Sequence, residues 1–311
     1  MLPSCAVMAG PECAWRRRVS VNSTARRIRL TGMALLMTLA TLVVTFASTH
    51  QLRAQSPDSI RTPAPEVDPH AAQPERPTIA THAYTVAPGY LEIEAGVQDA
   101  RPSRATQFIA PIVVKVGIVP RLQLELQGGY VRNAALGATT SGAADLVVAL
   151  KQRVLDAAPI VRDLSLQGSI KFATGTRNVS TGTTDVSLLL ISSRQIGVAE
   201  LDLNAGYTHR SGDGMRVPTS ATLLTASMGS PLRGRLGAAA ELFSYPGTGG
   251  PAGASSAFGF VCGPTLQVRR WLVLDAGAIL NVRNMGANAA YAGVTYNAGR
   301  IPGFPLRRRG E

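Results

Sequence analysis

Residues 108–127 read FIAPIVVKVGIVPRLQLELQ. Phe108, Ala110, Ile112, Val114, Val116 and Ile118 share one parity, with Lys115 and Gly117 on the other. After Val119-Pro120-Arg121, Leu122, Leu124 and Leu126 alternate with Gln123, Glu125 and Gln127. A period of two is the strand period, because successive side chains point to opposite faces of a sheet. The stretch predicts two antiparallel strands joined by a short connection, each with one apolar and one polar face.

The pattern extends both ways. Upstream, Leu91, Ile93, Ala95 and Val97 alternate with Glu92 and Glu94. Downstream, Leu146, Val148 and Leu150 oppose Asp145, Lys151 and Arg153, and Leu164, Leu166, Ile170 and Phe172 oppose Ser165, Gln167, Ser169 and Lys171. Val186, Leu188 and Leu190 oppose Asp185 and Ser187, and Leu201, Leu203, Ala205 and Tyr207 oppose Glu200, Asp202 and Asn204. Runs near 218–230, 235–245, 256–268, 271–282 and 289–301 are richer in Ala, Gly and Thr and bring the total to twelve.

Fourteen charges test the parity: Glu92, Glu94, Lys115, Glu125, Asp145, Lys151, Arg153, Lys171, Asp185, Glu200, Asp202, Arg235, Glu241 and Asp275 all fall on the less apolar face. In a soluble sandwich such charges meet water and the apolar faces meet a second sheet. In a transmembrane barrel the apolar residues meet lipid and the charges line the lumen. Periodicity alone does not separate the two; connection lengths help to. Those near 98–105, 132–142, 174–183, 211–217, 246–255 and 283–288 are long and polar. Those near 119–121, 193–197, 231–234 and 269–270 are short, and the one near 155–163 is intermediate. Long outer loops alternating with short periplasmic turns mark outer-membrane barrels. The expected fold class is all-β: a transmembrane antiparallel β-barrel of about 12 strands over residues 89–301. The fourteen charges are then lumen-lining, either as a salt-bridged filling or as the lining of a narrow pore. The short side also collects Arg121, Arg162, Arg194, Arg233, Arg269 and Arg270, although arginine is the dominant base of a chain with only three lysines.

The rest of the chain reads as address and tether. Residues 33–47, MALLMTLATLVVTFA, carry no charge, follow Arg26, Arg27 and Arg29, and precede Ala54. That is a secretory signal pattern, so residues 1–54 are expected to be a signal peptide with a long basic region. The run is too short to span a bilayer comfortably as a helix. The long basic region suggests a true start downstream of Met1. Seven prolines between 56 and 88 make residues 55–88 an extended linker or a plug. Residues 302–311 form a basic tail ending in Arg307, Arg308 and Arg309.

Several short motifs point the same way. Ala87-Pro88-Gly89-Tyr90-Leu91-Glu92-Ile93-Glu94, Lys115-Val116-Gly117-Ile118-Val119-Pro120-Arg121-Leu122-Gln123-Leu124-Glu125-Leu126, Asp145-Leu146-Val147-Val148-Ala149-Leu150-Lys151 and Ile170-Lys171-Phe172-Ala173-Thr174-Gly175 resemble the outer-membrane barrel family named after the meta-pathway of phenol degradation. The resemblance runs over roughly residues 76–300. It implies a transporter of the bacterial outer membrane, passage of apolar molecules, and no catalytic residues. Many outer-membrane barrels end on a strand with a terminal aromatic; this chain continues through Pro302 and Pro305 instead.

Composition removes other classes. The net charge of +12 is split between the N-terminal region and the rest, and no basic stripe interleaves with aromatics, so no nucleic-acid partner is expected. Three cysteines and four scattered histidines give no metal spacing, and no cofactor motif occurs. His209 and Ser211 stand two apart, the separation that places a base and a nucleophile on one strand face. The expected function is an outer-membrane channel passing small apolar or aromatic solutes by passive diffusion, gated by residues 56–88, and not an enzyme. The alternatives are a structural barrel without conductance and a lipid-acting hydrolase using His209 and Ser211. The expected partners are outer-membrane lipid, a small-molecule solute and the barrel-assembly machinery.

Overall fold

The computed structural model describes residues 68–305 apart from 77, 102–104, 159–161 and 285–286. The signal region 1–54, residues 55–67 of the proline-rich segment and residues 306–311 of the tail lie outside the described residues. The strands, in chain order, are β1 Tyr90–Ala100, β2 Ala105–Val119, β3 Leu122–Ala135, β4 Ala138–Ala143, β5 Leu146–Ala158, β6 Arg162–Phe172 and β7 Asp185–Ile196. They continue as β8 Ala199–Arg210, β9 Ser220–Arg233, β10 Leu236–Tyr245, β11 Ala257–Arg269, β12 Leu272–Arg283 and β13 Ala289–Arg300.

Twelve of these strands close into an antiparallel barrel. Each pairs with its neighbours in the chain, and β1 pairs with both β2 and β13, from Tyr90↔Arg300 to Ala100↔Ala289 on the closing seam. Closure satisfies every strand edge inside a medium that offers no hydrogen bonds.

The thirteenth strand, β4, pairs only with β3. It corrects the expectation of a plain polar loop over 132–142. Here β3 continues to Ala135 and β4 returns beside it, joined at Leu136-Gly137 with φ of 50° and 80°. Positive φ at both central residues is a type I′ turn, whose twist matches the flanking strands. The short connections also prove tighter than their sequence suggests. Ile196 pairs with Ala199 across Gly197-Val198, and Arg233 with Leu236 across Gly234-Arg235. Gly197 and Gly234 take φ of 61° and 60°, which a side chain would oppose.

Burial decides between sandwich and barrel. Ile112, Leu150, Leu188, Leu224, Leu266 and Tyr296, from strands all around the wall, are exposed on the outside. Glu92, Lys115, Glu125 and Lys151, on the opposite parity, are fully buried inside. An apolar exterior around a charged interior suits lipid and not water.

A charge on the outer face of mid-strand should therefore cost far more than one on the projecting hairpin. Leu203→Arg is expected to lower folding stability in lipid bilayers by about 2–4 kcal/mol, as for a basic residue at the bilayer midplane. Leu136→Arg, at the hairpin tip, should leave it nearly unchanged. Reversible urea titration into vesicles measures both, and equal effects would contradict the inside-out arrangement.

Candidate functional site: the lumen and its arm

The site is built from two components, the inward parity of the wall and residues 68–89. The described residues of the arm form no regular secondary structure, so their backbone groups must find partners elsewhere. Pro69, Pro74 and Pro88 lack the amide hydrogen and reduce that demand. The wall supplies the rest through side chains.

The contacts follow the strands around the lumen. Ala72 N–H donates to the Arg270 carbonyl at 2.8 Å, beside β12, and Asn297 Nδ2 on β13 donates to the Ala71 carbonyl at 3.1 Å. Gln73 N–H donates to Glu92 at 2.7 Å and Glu75 N–H to Glu94 at 2.8 Å, both on β1. Arg76 lies 3.7 Å from Asp275 on β12. Ile79 and Ala80 N–H donate to the two carboxylate oxygens of Glu241 on β10, at 2.6 and 3.0 Å. Asn204 on β8 accepts from Thr81 N–H at 2.8 Å and donates back to its carbonyl at 2.9 Å. Ser193 on β7 accepts from Ala83 N–H at 2.7 Å, while Ser165 on β6 donates to the Ala83 carbonyl at 2.5 Å. Gln123 on β3 accepts from Val86 N–H at 2.7 Å. The arm then bridges β2 at Pro88↔Gly117 and turns into β1. A Cβ at Gly117 would lie 2.2 Å from the Ala87 carbonyl, so this close approach needs glycine.

The arm thus makes one circuit of the interior wall. Its partners lie in the middle of their strands or nearer the short turns. Ile79, Ala83 and Val86 are among the most buried apolar residues. Arg76 is seated in a notch, since a Cβ at Gly96 or Gly293 would come within 2.6 or 2.4 Å of its guanidinium.

Charge neutralisation accompanies the bonding. Lys115 is fully buried, 2.7 Å from Glu92 and 2.6 Å from Glu94. Lys151, also fully buried, pairs with Glu75 of the arm and donates to the His82 carbonyl at 3.2 Å. Burial opposes ionisation of Glu75, but the ammonium groups of Lys151 and Lys115 outweigh it and hold its carboxyl well below the ordinary range. Burial, reinforced by Lys151, pushes the His82 imidazole down to about 3, so it is neutral at pH 7. Glu125 accepts from Gln123 and Gln167 at 2.8 Å each and from Gln127 at 3.0 Å. These partners meet the requirement that buried charges be paired or hydrogen-bonded.

The fourteen charges named from sequence occupy different places. Glu92, Glu94, Lys115, Lys151, Glu241 and Asp275 bond or pair with the arm. Glu125 and Asp202 stand one step behind it, through Gln123 and Ser193. Lys171 pairs with Asp145 and Asp185 at 3.3 and 3.2 Å, near the long loops. Arg153 pairs with Asp163 at 2.8 Å and lies 5.0 Å over the Tyr84 ring, near the short turns, and Glu200 is close to that end of β8. Arg235 differs: it sits in the exposed turn between β9 and β10, outside the lumen. It shares the strand parity, but the tight hairpin at Gly234 places it beyond the ladder.

The neutral residues Gln123, Ser165, Ser193, Asn204 and Asn297 were not singled out by charge, yet they hold the arm. Their signal was the shared parity with the charged positions. His209 and Ser211 are not brought together: His209 is exposed on the outward parity of β8, and Ser211 Oγ accepts from Thr184 N–H at 2.9 Å.

Above the arm the lumen has two faces. Phe243, Val261 and Tyr291 pack on Ile79, with Leu223, Tyr245 and Ile279 against them, all from β9 to β13. Tyr291 lies over Gly263 and Gly277, where a Cβ would approach its hydroxyl to 2.5 and 2.4 Å. Across the lumen, Gln127, Gln167, Ser169 and Asp185 are polar and buried.

No protein-family model matches the chain, and no curated protein matches it. Among solved structures, the COG4313 outer membrane channel from Pseudomonas putida F1 superposes with a TM-score of 0.57 at 13% identity, covering 69% of this chain and 97% of that one. The KdgM porin, in complex with disordered oligogalacturonate, and the NanC porin each give a TM-score of 0.44, at 9% and 10% identity. They cover 67% and 66% of this chain and 98% of each of theirs. The first likeness shows the fold, which is that of an outer-membrane β-barrel.

Removing one two-pronged anchor should loosen the arm and spare the wall. Glu241→Ala leaves the Ile79 and Ala80 amides without acceptors, at about 1–3 kcal/mol for each unsatisfied group. Hydrogen exchange at residues 79–83 should accelerate at least tenfold, with the amides of β1 and β13 unchanged. Uniform acceleration across the barrel would show that Glu241 supports the wall instead.

Proposed function

We propose that the chain is an outer-membrane channel that passes small apolar or aromatic solutes by passive diffusion, with residues 68–89 as its closed gate. The observation that carries this reading is the circuit of the arm, hydrogen-bonded to wall side chains and not to a ladder. Side-chain bonds can be exchanged for water without opening the barrel seam. The apolar face of Leu223, Phe243, Tyr245, Ile279 and Tyr291 offers contact to an apolar or aromatic solute. The Tyr291 and Thr225 hydroxyls on the same side have no hydrogen-bond partner among the described residues and suit a solute hydroxyl or water. The same features agree with the phenol meta-pathway resemblance. The apolar exterior makes outer-membrane lipid and the barrel-assembly machinery partners under this proposal.

The density of arm contacts also favours a second reading, a structural barrel whose arm never leaves. A cysteine clamp separates the two. Ala83→Cys with Ser193→Cys, in a background with Cys5, Cys13 and Cys262 changed to Ser, ties the arm to β7. Under the channel reading, planar-bilayer recordings should show discrete conductance steps in reductant and near silence after oxidation. Silence in both states, from protein shown to be folded, would favour the structural barrel.

A further inference from the structure

Six arginines of the short-turn side make no contact with the arm or the lumen charges among the described residues. Arg162, Arg194, Arg233, Arg235, Arg269 and Arg300 stand at strand ends or turns of that rim, and all are exposed. Among the described residues none of the six has an acidic partner, whereas Arg121 and Arg153 pair with Asp156, and Arg270 with Asp68.

Two of the six are brought together. Arg235 and Arg269 each donate Nη1 to the same carbonyl oxygen, that of Val268, at 3.3 and 3.1 Å. Two guanidinium groups on one acceptor repel each other, and each keeps further donors in its planar fork. An anion with several oxygens relieves the repulsion and fills those donors.

The surroundings choose the anion. Leu232 and Leu236, beside Arg233 and Arg235, are 67% and 50% exposed, and Leu266, three residues before Arg269, is also exposed. In the next hairpin Val198 is 72% exposed, near Arg194. Large aliphatic side chains so exposed at strand ends and turns are costly in water, whereas arginine beside apolar residues is the pattern of the membrane interface. On the opposite rim Arg101, Lys171 and Arg210 sit beside acids, and Arg132, Arg177, Arg216 and Arg283 are spread over the projecting hairpin, the long loops and a strand end, with no pair of them sharing one acceptor among the described residues.

We propose that the short-turn rim is an anionic-phospholipid collar, in which Arg235 and Arg269 hold one headgroup phosphate while Leu232, Leu236 and Leu266 contact its acyl chains. Phosphate alone satisfies only the first half of this surface; a phospholipid satisfies both. The inference does not depend on whether the barrel conducts.

The test uses the full chain in neutral detergent, with bound lipid counted by native mass spectrometry. Unmodified protein should retain phosphatidylglycerol in clear excess over phosphatidylcholine. Arg235→Gln with Arg269→Gln should reduce that preference by up to about fivefold for each charge removed, with phosphatidylcholine retention unchanged. Arg235→Lys with Arg269→Lys should keep much of it. Equal retention of the two lipids by unmodified protein would overturn the proposal, as would an unaltered preference in the glutamine variant. Displacement by millimolar inorganic phosphate would show a soluble-anion site and overturn the lipid assignment. If the glutamine variant fails the heat-dependent gel shift of a folded barrel, salt decides on unmodified protein: a preference unaltered at molar salt would overturn the collar.

Discussion

Everything inside this barrel depends on one constraint, that a peptide segment without a ladder cannot be buried with its amides unpaired. Residues 68–89 meet the constraint by borrowing wall side chains as acceptors. Glu92, Glu94, Gln123, Ser193, Asn204 and Glu241 each take an arm amide, and Glu241 takes two. The carboxylates that accept these bonds would be costly alone, so Lys115 and Lys151 are buried among them. Arm, acceptors and lysines form one polar network, and the loss of any member leaves another unsatisfied.

The network gives the wall its division of labour. The inward parity of β1 to β8 is mostly acceptors, donors and counter-charges, with Leu189 and Ile191 of β7 packed on Ala83 of the arm. The inward side of β9 to β13 carries, beside Glu241, Asp275 and Asn297, an aromatic and aliphatic cluster that meets the arm at Ile79. Glycines are notches for large neighbours: Gly96 on β1 and Gly293 on β13 for Arg76, Gly263 and Gly277 for Tyr291. The sparse Ala, Gly and Thr pattern of the late strands, weak as a strand signal, is thus the imprint of side chains that lie flat against the wall.

Much of the architecture was legible in order. Alternation located all twelve wall strands, because a strand between lipid and lumen must change character at every residue. It missed β4, since a hairpin beyond the membrane has no such alternation: Thr139, Thr140 and Ser141 are polar on both faces. Charge parity singled out Glu92, Lys115, Lys151 and Glu241, which are buried inside, together with Arg235, which stands in an exposed turn because counting by two fails once a glycine turn ends the strand. The neutral acceptors were visible as polar positions and invisible as a site, since nothing local distinguishes Asn204 or Ser193 from a solvated polar residue.

The amino-acid order by itself determined the strands, their two faces and the alternation of long and short connections, because these follow from local stereochemistry and a period of two. Only the tertiary structure decided that the apolar face looks outward, that the chain closes from β13 onto β1, and that the proline-rich segment returns to circle the lumen. Those outcomes rest on contacts such as Ile79 with Glu241 and Thr81 with Asn204, between residues more than a hundred positions apart. No local pattern can record such a pairing, because its free energy exists only when the closed wall excludes water from both partners.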